Sequence, residues 1–219
     1  VTPEPASAAA TGEATAERAT VAKPELVSAP DTLGGHFVGS LGFGGTVALG
    51  ELGAQTAQAD WVGPGGVFTL GLGYGVSRTV VVGAHGEYGF ASGGRDCNDS
   101  PAKEPSCKTR SFAVGPMLRY HLVQGLRFDP FLEVGVAYRK TTLDTGESQL
   151  DYSGLDVVRL AVNGDWYASR NLGVGANLGA AFGTYFDRPS APRNGASEDA
   201  ALYVNLSAGL HLAFDFPGR

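Results

Sequence analysis

The sequence predicts an all-β fold: a closed eight-stranded antiparallel transmembrane up-and-down β-barrel behind a disordered N-terminal tail. Three observations predict it. Apolar residues recur at every second position in eight successive runs of about nine or more residues, the length of a tilted membrane-crossing strand. The connectors between the runs alternate between long and short. The residues between the apolar ones are mostly Gly, Ala, Ser and Asn, which suit a crowded lumen and have no use on a surface in water.

The chain has 219 residues and a formal net charge of −6 from 22 acidic and 16 basic side chains. Its length suits one domain, or one domain with a tail. The charge balance argues against a nucleic-acid binder, which would carry a basic patch. Glycine occurs 33 times, about twice its average share, and helix interiors disfavour it by roughly 1 kcal/mol per residue. No stretch approaches the roughly 20 consecutive apolar residues of a membrane-spanning helix. The first residue is Val1 and no basic-plus-apolar leader region follows it, so a leader is expected to have been removed.

Residues 1–33 read as a flexible periplasmic tail. The first 30 are rich in Ala, Thr, Pro and Glu and hold no aromatic residue, too little apolar surface to offset the entropy of ordering. An Ala-rich helix over Ala6–Ala22 is the rival reading. Residues 34–219 are assigned to the barrel. In the first strand Phe37, Leu41 and Phe43 share one face, opposite His36, Val38, Ser40, Gly42 and Gly44. The second sets Phe68, Leu70, Leu72, Tyr74 and Val76 against Val67, Thr69 and three glycines. The third sets Val80, Val82, Ala84, Tyr88 and Phe90 against Val81, Gly83, His85, Glu87 and Gly89. The fourth sets Phe112, Val114, Pro116, Leu118 and Tyr120 against Ser111, Ala113, Gly115, Met117, Arg119 and His121.

The fifth strand sets Phe128, Pro130, Leu132, Val134, Val136 and Tyr138 against Phe131, Glu133, Gly135, Ala137 and Arg139. The sixth sets Val158, Leu160, Val162 and Trp166 against Arg159, Ala161, Asn163, Asp165 and Tyr167. The seventh sets Leu172, Val174, Ala176, Leu178, Phe182 and Phe186 against Gly173, Gly175, Asn177, Gly179, Ala181 and Gly183. The eighth alternates Leu202, Val204, Leu206, Ala208, Leu210, Leu212, Phe214 and Phe216 with Tyr203, Asn205, Ser207, Gly209, His211, Ala213 and Asp215. Long connectors are expected at roughly 45–65, 91–109, 140–154 and 187–199, with Trp61 and Tyr152 among their residues. Short ones fall at 77–78, 123–127 and 168–171. Long outer loops with tight inner turns are the pattern of outer-membrane barrels, and an even strand count puts both termini on the periplasmic side.

A soluble ligand-carrying barrel also has eight alternating strands, but it turns its apolar face inward. Here the aromatics of the apolar face gather at the strand ends. Phe43, Phe68, Tyr88, Phe90, Phe112, Tyr138 and Phe186 fall near one rim. Phe37, Tyr74, Tyr120, Phe128, Trp166, Phe214 and Phe216 fall near the other. Two such bands are the girdles of a lipid-embedded barrel. Hydrocarbon offers no partner to an open strand edge, so the first and eighth strands must pair.

Two segments resemble small bacterial outer-membrane β-barrels of the outer-membrane protein A, X and W type. Arg127-Phe-Asp-Pro-Phe-Leu-Glu-Val-Gly-Val-Ala-Tyr138 is similar to an Arg-x-x-Pro-Tyr-x-x-x-Gly-x-Gly-Tyr strand common there. The segment Ser207-Ala-Gly-Leu-His-Leu-Ala-Phe-Asp-Phe216 resembles the C-terminal assembly signal. The likeness covers about residues 34–216 and departs from the pattern at Pro217-Gly-Arg219, after the final aromatic residue. It implies an outer-membrane location, with lipid and lipopolysaccharide around the barrel. It also implies that the barrel-insertion machinery reads Ser207, Gly209, Leu212, Phe214 and Phe216. Members of this group serve as anchors, adhesins, narrow channels and enzymes, so the resemblance leaves the task open.

The inward parity collects His36, His85, Glu87, Arg119, His121, Glu133, Arg139, Arg159, Asp165, His211 and Asp215. Buried charges demand partners, so arginine–carboxylate pairs are expected to cross the lumen as a polar plug. The glycines beside them leave room that water could fill, although an eight-strand barrel is typically only wide enough for its own side chains. His85-x-Glu87 puts an imidazole and a carboxylate on one strand face, but a metal or acid–base role would need a third group. All four histidines have lumenal parity and none sits in a His-x-Ser pattern. No enzymatic activity and no cofactor is expected. Cys97 and Cys107 flank a polar, Pro-containing loop and read as a local disulfide of an oxidising compartment. The expected role is a membrane anchor or partner-binding subunit, whose tail or loops reach other envelope proteins. A narrow channel for small solutes and a surface adhesin acting through its loops are the alternatives.

Overall fold

A computed structural model describes residue 30 and residues 32–53, 56–95, 107–146, 148–187 and 201–217. Most of the expected tail, Cys97, and most of the segments expected as loops at 91–109 and 187–199 lie outside the described residues. Eight long strands carry the fold: β1 (His36–Gly53), β2 (Val62–Gly75), β3 (Val80–Gly93), β4 (Lys108–His121), β5 (Phe128–Asp144), β6 (Gln149–Ser169), β7 (Leu172–Asp187) and β8 (Ala201–Pro217). Each runs antiparallel to the next, and β1 also pairs with β8 from His36↔Pro217 to Gly50↔Tyr203. The sheet is thereby closed and no strand edge meets hydrocarbon. Between β1 and β2 a two-residue strand, Thr56–Ala57, folds back on β1 and leads into a single helical turn, α1 (Gln58–Trp61).

The alternation in the sequence becomes the two faces of this sheet. The large apolar residues point outward and stay exposed, Leu160 at 49% and Leu210 at 66%. An apolar surface this continuous would drive aggregation in water. In a bilayer it is the face that the solvent prefers. Both aromatic bands form. Phe43 lies 4.9 Å from Phe68, and Phe68 5.9 Å from Phe90, between ring centroids at the long-loop end. Phe37 lies 5.2 Å from Tyr74, and Phe128 6.4 Å from Trp166, at the short-turn end.

Two connectors are shorter than the sequence suggests. β1 continues to Gly53, and β5 and β6 continue to Asp144 and Gln149, so only residues 145–148 separate the two strands where a loop over 140–154 is expected. Tyr152 therefore lies in β6 and Trp61 in α1, neither in an irregular loop. On β5 and β6 the backbone ladder persists above the girdle with polar outward side chains, so an apolar criterion ends these two strands too early. Lys140 and Asp151 form a 3.0 Å ion pair on that extension, and Thr142 donates to Asp151 Oδ1 at 2.8 Å. The Thr142 hydroxyl, and after it Lys140 and Gln149, hold the Asp151 carboxyl below the usual carboxylate range.

β6 also departs from strict alternation. Its register skips Val157 on both sides: Ala137 and Gly183 oppose Asp156, while Gly135 and Ala181 oppose Arg159. Such a bulge inserts one residue and re-aims the side chains beyond it. Val157 is 52% exposed and Val158 38%. Asp156 and Arg159, three residues apart, consequently both face the lumen.

Candidate functional site: a polar lumen closed at both ends

The charged residues of the inward face assemble on β3 to β6 as one cluster of three guanidinium groups and three carboxylates. Arg139 grips Asp156 with two bonds, Nε to Oδ1 at 2.8 Å and Nη2 to Oδ2 at 3.0 Å, and reaches Glu87 Oε1 at 3.0 Å. Arg159 donates to Asp156 Oδ2 at 2.8 Å, to Glu87 Oε2 at 2.7 Å and to His85 Nε2 at 2.8 Å. Arg119 donates from Nε and Nη2 to Glu133 Oε2, at 3.2 and 3.0 Å, and from Nη2 to Ser40 Oγ at 3.3 Å. His85 Nδ1, 3.4 Å from Glu133 Oε1, joins the two halves. Tyr203 adds a hydroxyl donor 2.5 Å from Asp156 Oδ1. Removing an ion from water costs several kcal/mol, offset only where pairing and hydrogen bonding are nearly complete. Equal numbers of fixed cations and anions, crosslinked this densely, meet that condition.

Toward the short-turn end lies a second tier of three histidine–aspartate pairs. They are His36 Nδ1 to Asp215 Oδ1 at 2.7 Å, His121 Nδ1 to Asp129 Oδ2 at 2.8 Å, and His211 Nε2 to Asp165 Oδ1 at 2.5 Å. Phe131 fills the space among them. Its ring stacks on His121 at 4.8 Å, meets His211 edge-on at 6.3 Å and carries the Arg119 guanidinium at 4.7 Å. Below Phe131, Leu33 turns back into the barrel and is buried with Val38 and Val81. Glycine makes the crossings possible. Gly175 stands on β7 in register between Asp165 and His211, and a Cβ there would collide with Asp165 Oδ1 and His211 Nε2. Gly175→Val is expected to separate the pair and destabilise the barrel by about 1–3 kcal/mol, measured as a shift in the urea midpoint of lipid-reconstituted protein.

The long-loop mouth is closed by apolar packing. Leu52, Val62, Tyr185 and Tyr203 form a buried cluster against which Trp61 and Tyr152 pack. From α1, the buried Gln58 donates to the Tyr185 hydroxyl at 3.4 Å, and that hydroxyl is 3.1 Å from Thr141 Oγ1. The lumen between cap and floor includes small cavities, two of them of about 50 and 30 Å³. Thr46, Glu87 and Asn205 belong to the walls of both. Asn163, Asn177 and Asn205 line the larger cavity and each has a buried amide atom without a protein partner, the setting in which proteins hold ordered water.

His85, Glu87, Arg119, Glu133, Arg139 and Arg159 thus meet in one network, while His121, Asp165 and His211 belong to the floor. Among the participants that escape the sequence reading are Asp156, Asp129 and Tyr185. Asp156 has outward parity in an uninterrupted strand and is turned inward by the bulge. Asp129 and Tyr185 have inward parity but lie just beyond the residues assigned to that face. Ser207 and Gly209 face the lumen on β8, while Leu212, Phe214 and Phe216 face outward beside the closing seam with β1. Cys107 is buried and is not a free thiol; Cys97, its expected partner, lies outside the described residues. Among the described residues no group of three or more His, Cys, Asp or Glu side chains is arranged to hold a metal ion.

No protein-family model and no curated protein matches the sequence. Solved structures do match in fold. Neisserial surface protein A shares 13% identity over 83% of this chain and 97% of its own, with a TM-score of 0.52. The outer membrane protein OprG from Pseudomonas aeruginosa shares 11% over 84% and 97%, with a TM-score of 0.52. The outer membrane protein AlkL, solved in lipid bilayers, shares 15% over 99% and 97%, again with a TM-score of 0.52. At these identities the likeness is one of fold: the chain has the fold of the small eight-stranded outer-membrane barrels.

Proposed function

We propose that this chain is a non-enzymatic barrel of the bacterial outer membrane that serves as an anchor or partner-binding subunit, with both termini in the periplasm. The observation that carries the reading is occlusion of the lumen from both ends. The Leu52–Tyr203 cluster caps it, the charge-balanced arginine–carboxylate network fills it, and the Phe131 floor with Leu33 beneath seals it. A lumen spent on rigidity leaves the two ends of the barrel as the places where function can lie. The N-terminal segment begins beneath the floor at Leu33 and would extend into the periplasm toward other envelope proteins. The barrel-insertion machinery would read the β8 residues from Ser207 to Phe216 during assembly.

A narrow channel is the second reading, favoured by the two cavities with shared walls. Planar-bilayer recording separates the two. The anchor reading expects no discrete conductance steps from the wild-type chain. It expects none in Phe131→Ala either, because the cap and the arginine–carboxylate network still fill the lumen above the opened floor. Steps in the wild type, abolished by a bulky substitution at Gly179 in the cavity wall, would replace the anchor reading with the channel. Crosslinking in intact cells, with and without residues 1–30, tests the arm: an unchanged set of crosslinked envelope proteins would remove its role.

A further inference from the structure

At the short-turn mouth one sector of the lumen is built differently from the rest. On β4, β6 and β8 the buried inward residues there include His121, Asp165 and Asp215. On β2 and β3 they are Gly73, Gly75, Val81 and Gly83, and on β1 Val38 stands next in line after His36. A sector lined by valine and glycine gains nothing from water, and the chain itself fills it. Leu33, three residues before β1, is buried against Val38 and Val81. Its N–H donates to the Arg78 carbonyl at 3.2 Å, and the Gly35 N–H donates to the Gly75 carbonyl at 2.8 Å. The segment thus hangs on the end of β2 and the turn after it. Gly75 is part of the socket, since a Cβ there would strike the Leu33 carbonyl.

The segment is also built to release. Leu33 enters the lumen while Thr32 and Gly34 beside it stay exposed. Gly34 and Gly35 join it to β1, with Gly35 at φ 83°, a conformation that glycine adopts without steric cost. The His36 N–H donates back to the Leu33 carbonyl at 2.9 Å and closes the turn. Withdrawing Leu33 breaks two backbone bonds to β2 and its turn, whereas β1 is laddered to β2 and β8 along its length. Segments held by few bonds and few buried contacts open locally, ahead of global unfolding. Above the socket, Phe131 with the Arg119 guanidinium on its ring still shuts the lumen.

We propose that residues 32–35 are a stopper that leaves its socket while the barrel stays folded, opening a vestibule at the short-turn mouth as far as the Phe131 ring. Thr32, at the head of the stopper, is exposed, so a partner that holds the chain there acts on Leu33 directly. The inference goes beyond the anchor reading and takes from it only that the lumen is entered from its ends.

The test uses the full chain in detergent micelles, where a small charged thiol reagent reaches both ends of the barrel. The wild type, whose Cys107 is not free, is the blank. Val81→Cys reports the socket, Ser77→Cys the exposed turn, and Ser207→Cys the cavity above Phe131. Val81→Cys is expected to react roughly a hundredfold more slowly than Ser77→Cys, and added Leu33→Gly to speed it about tenfold or more. Gly75→Ala, which keeps the leucine but crowds its carbonyl, should speed it likewise. Ser207→Cys should stay slow throughout. In the wild type, the Leu33 and Gly35 amides should exchange hydrogen roughly a hundredfold faster than amides of the β1–β8 ladder. Exchange at Leu33 as slow as in that ladder would make the segment a fixed part of the barrel. Val81→Cys labelling as fast as that of Ser77→Cys, or unmoved by Leu33→Gly, would mean that Leu33 does not close the mouth. Faster labelling of Ser207→Cys in step with Val81→Cys would mean that the whole barrel had loosened. Each of these results overturns the proposal. Heat-modifiable gel migration reports the folding of every variant. Conductance steps from the wild type in planar bilayers would remove the anchor reading and leave the stopper standing.

Discussion

Replacing Asp156 with alanine is expected to destabilise the folded barrel by about 3–5 kcal/mol, the cost of stranding a buried charge whose partner is removed. Asp156 is 0% exposed and takes bonds from Arg139, Arg159 and the Tyr203 hydroxyl. Without it, three guanidinium groups share two carboxylates in a lumen that admits little water. Glu87 already bonds to Arg139 and Arg159 and has no capacity to neutralise both. Asp156→Asn should cost less, since the amide oxygen still accepts one bond. Asp151→Ala, which breaks the exposed Lys140 pair, should leave stability unchanged, as exposed ion pairs ordinarily do. Urea titration of vesicle-reconstituted protein, read by the gel shift between folded and unfolded forms, measures all three. A loss below about 1 kcal/mol for Asp156→Ala would mean that water solvates the freed guanidinium groups. The upper lumen would then be wet, which favours the channel reading.

The same residue marks where the sequence stops being legible. Alternation at period two identifies strand count, facing and closure, because each lipid-facing residue on a regular strand is followed by a lumenal one. Phe37, Leu41 and Phe43 against Ser40 and Gly42 need no further information. One skipped residue at Val157 reverses that parity, and no local signal separates a bulge from a continuing strand of valines. The cluster was legible as a list of inward charges, but its centre was not. Strand ends were hidden for a related reason. Above the girdle the outward positions of β5 and β6 become Lys140, Thr142 and Asp151, so the period continues while the hydropathy does not. The cap was invisible because Leu52, Gln58 and Trp61 belong to no repeating pattern. Only the closed mouth gives those side chains a place to pack.

Substituting Val134 by arginine tests the physical basis of the fold most directly. Val134 lies on β5 between Phe128 and Tyr138 of the two girdles, opposite Leu118 and Leu160. It is 44% exposed. In water, a residue so open to solvent would accept arginine within about 0.5 kcal/mol. At the mid-depth of a bilayer the guanidinium must distort the lipid or drag water inward, and the expected cost is about 2–4 kcal/mol. Gln149→Arg, at the end of the β5–β6 extension above the girdle, should cost about 0–1 kcal/mol, because the penalty falls toward the interface. The two substitutions add the same charge to exposed positions, so any difference between them reports depth in hydrocarbon and not charge or side-chain volume. Reconstituted into thinner bilayers, Val134→Arg should recover part of its loss while Asp156→Ala should not, since the lumenal charge never meets lipid. Equal and negligible costs at positions 134 and 149 would require the outer face to be solvated by water, and a barrel with this face in water could not stay monomeric.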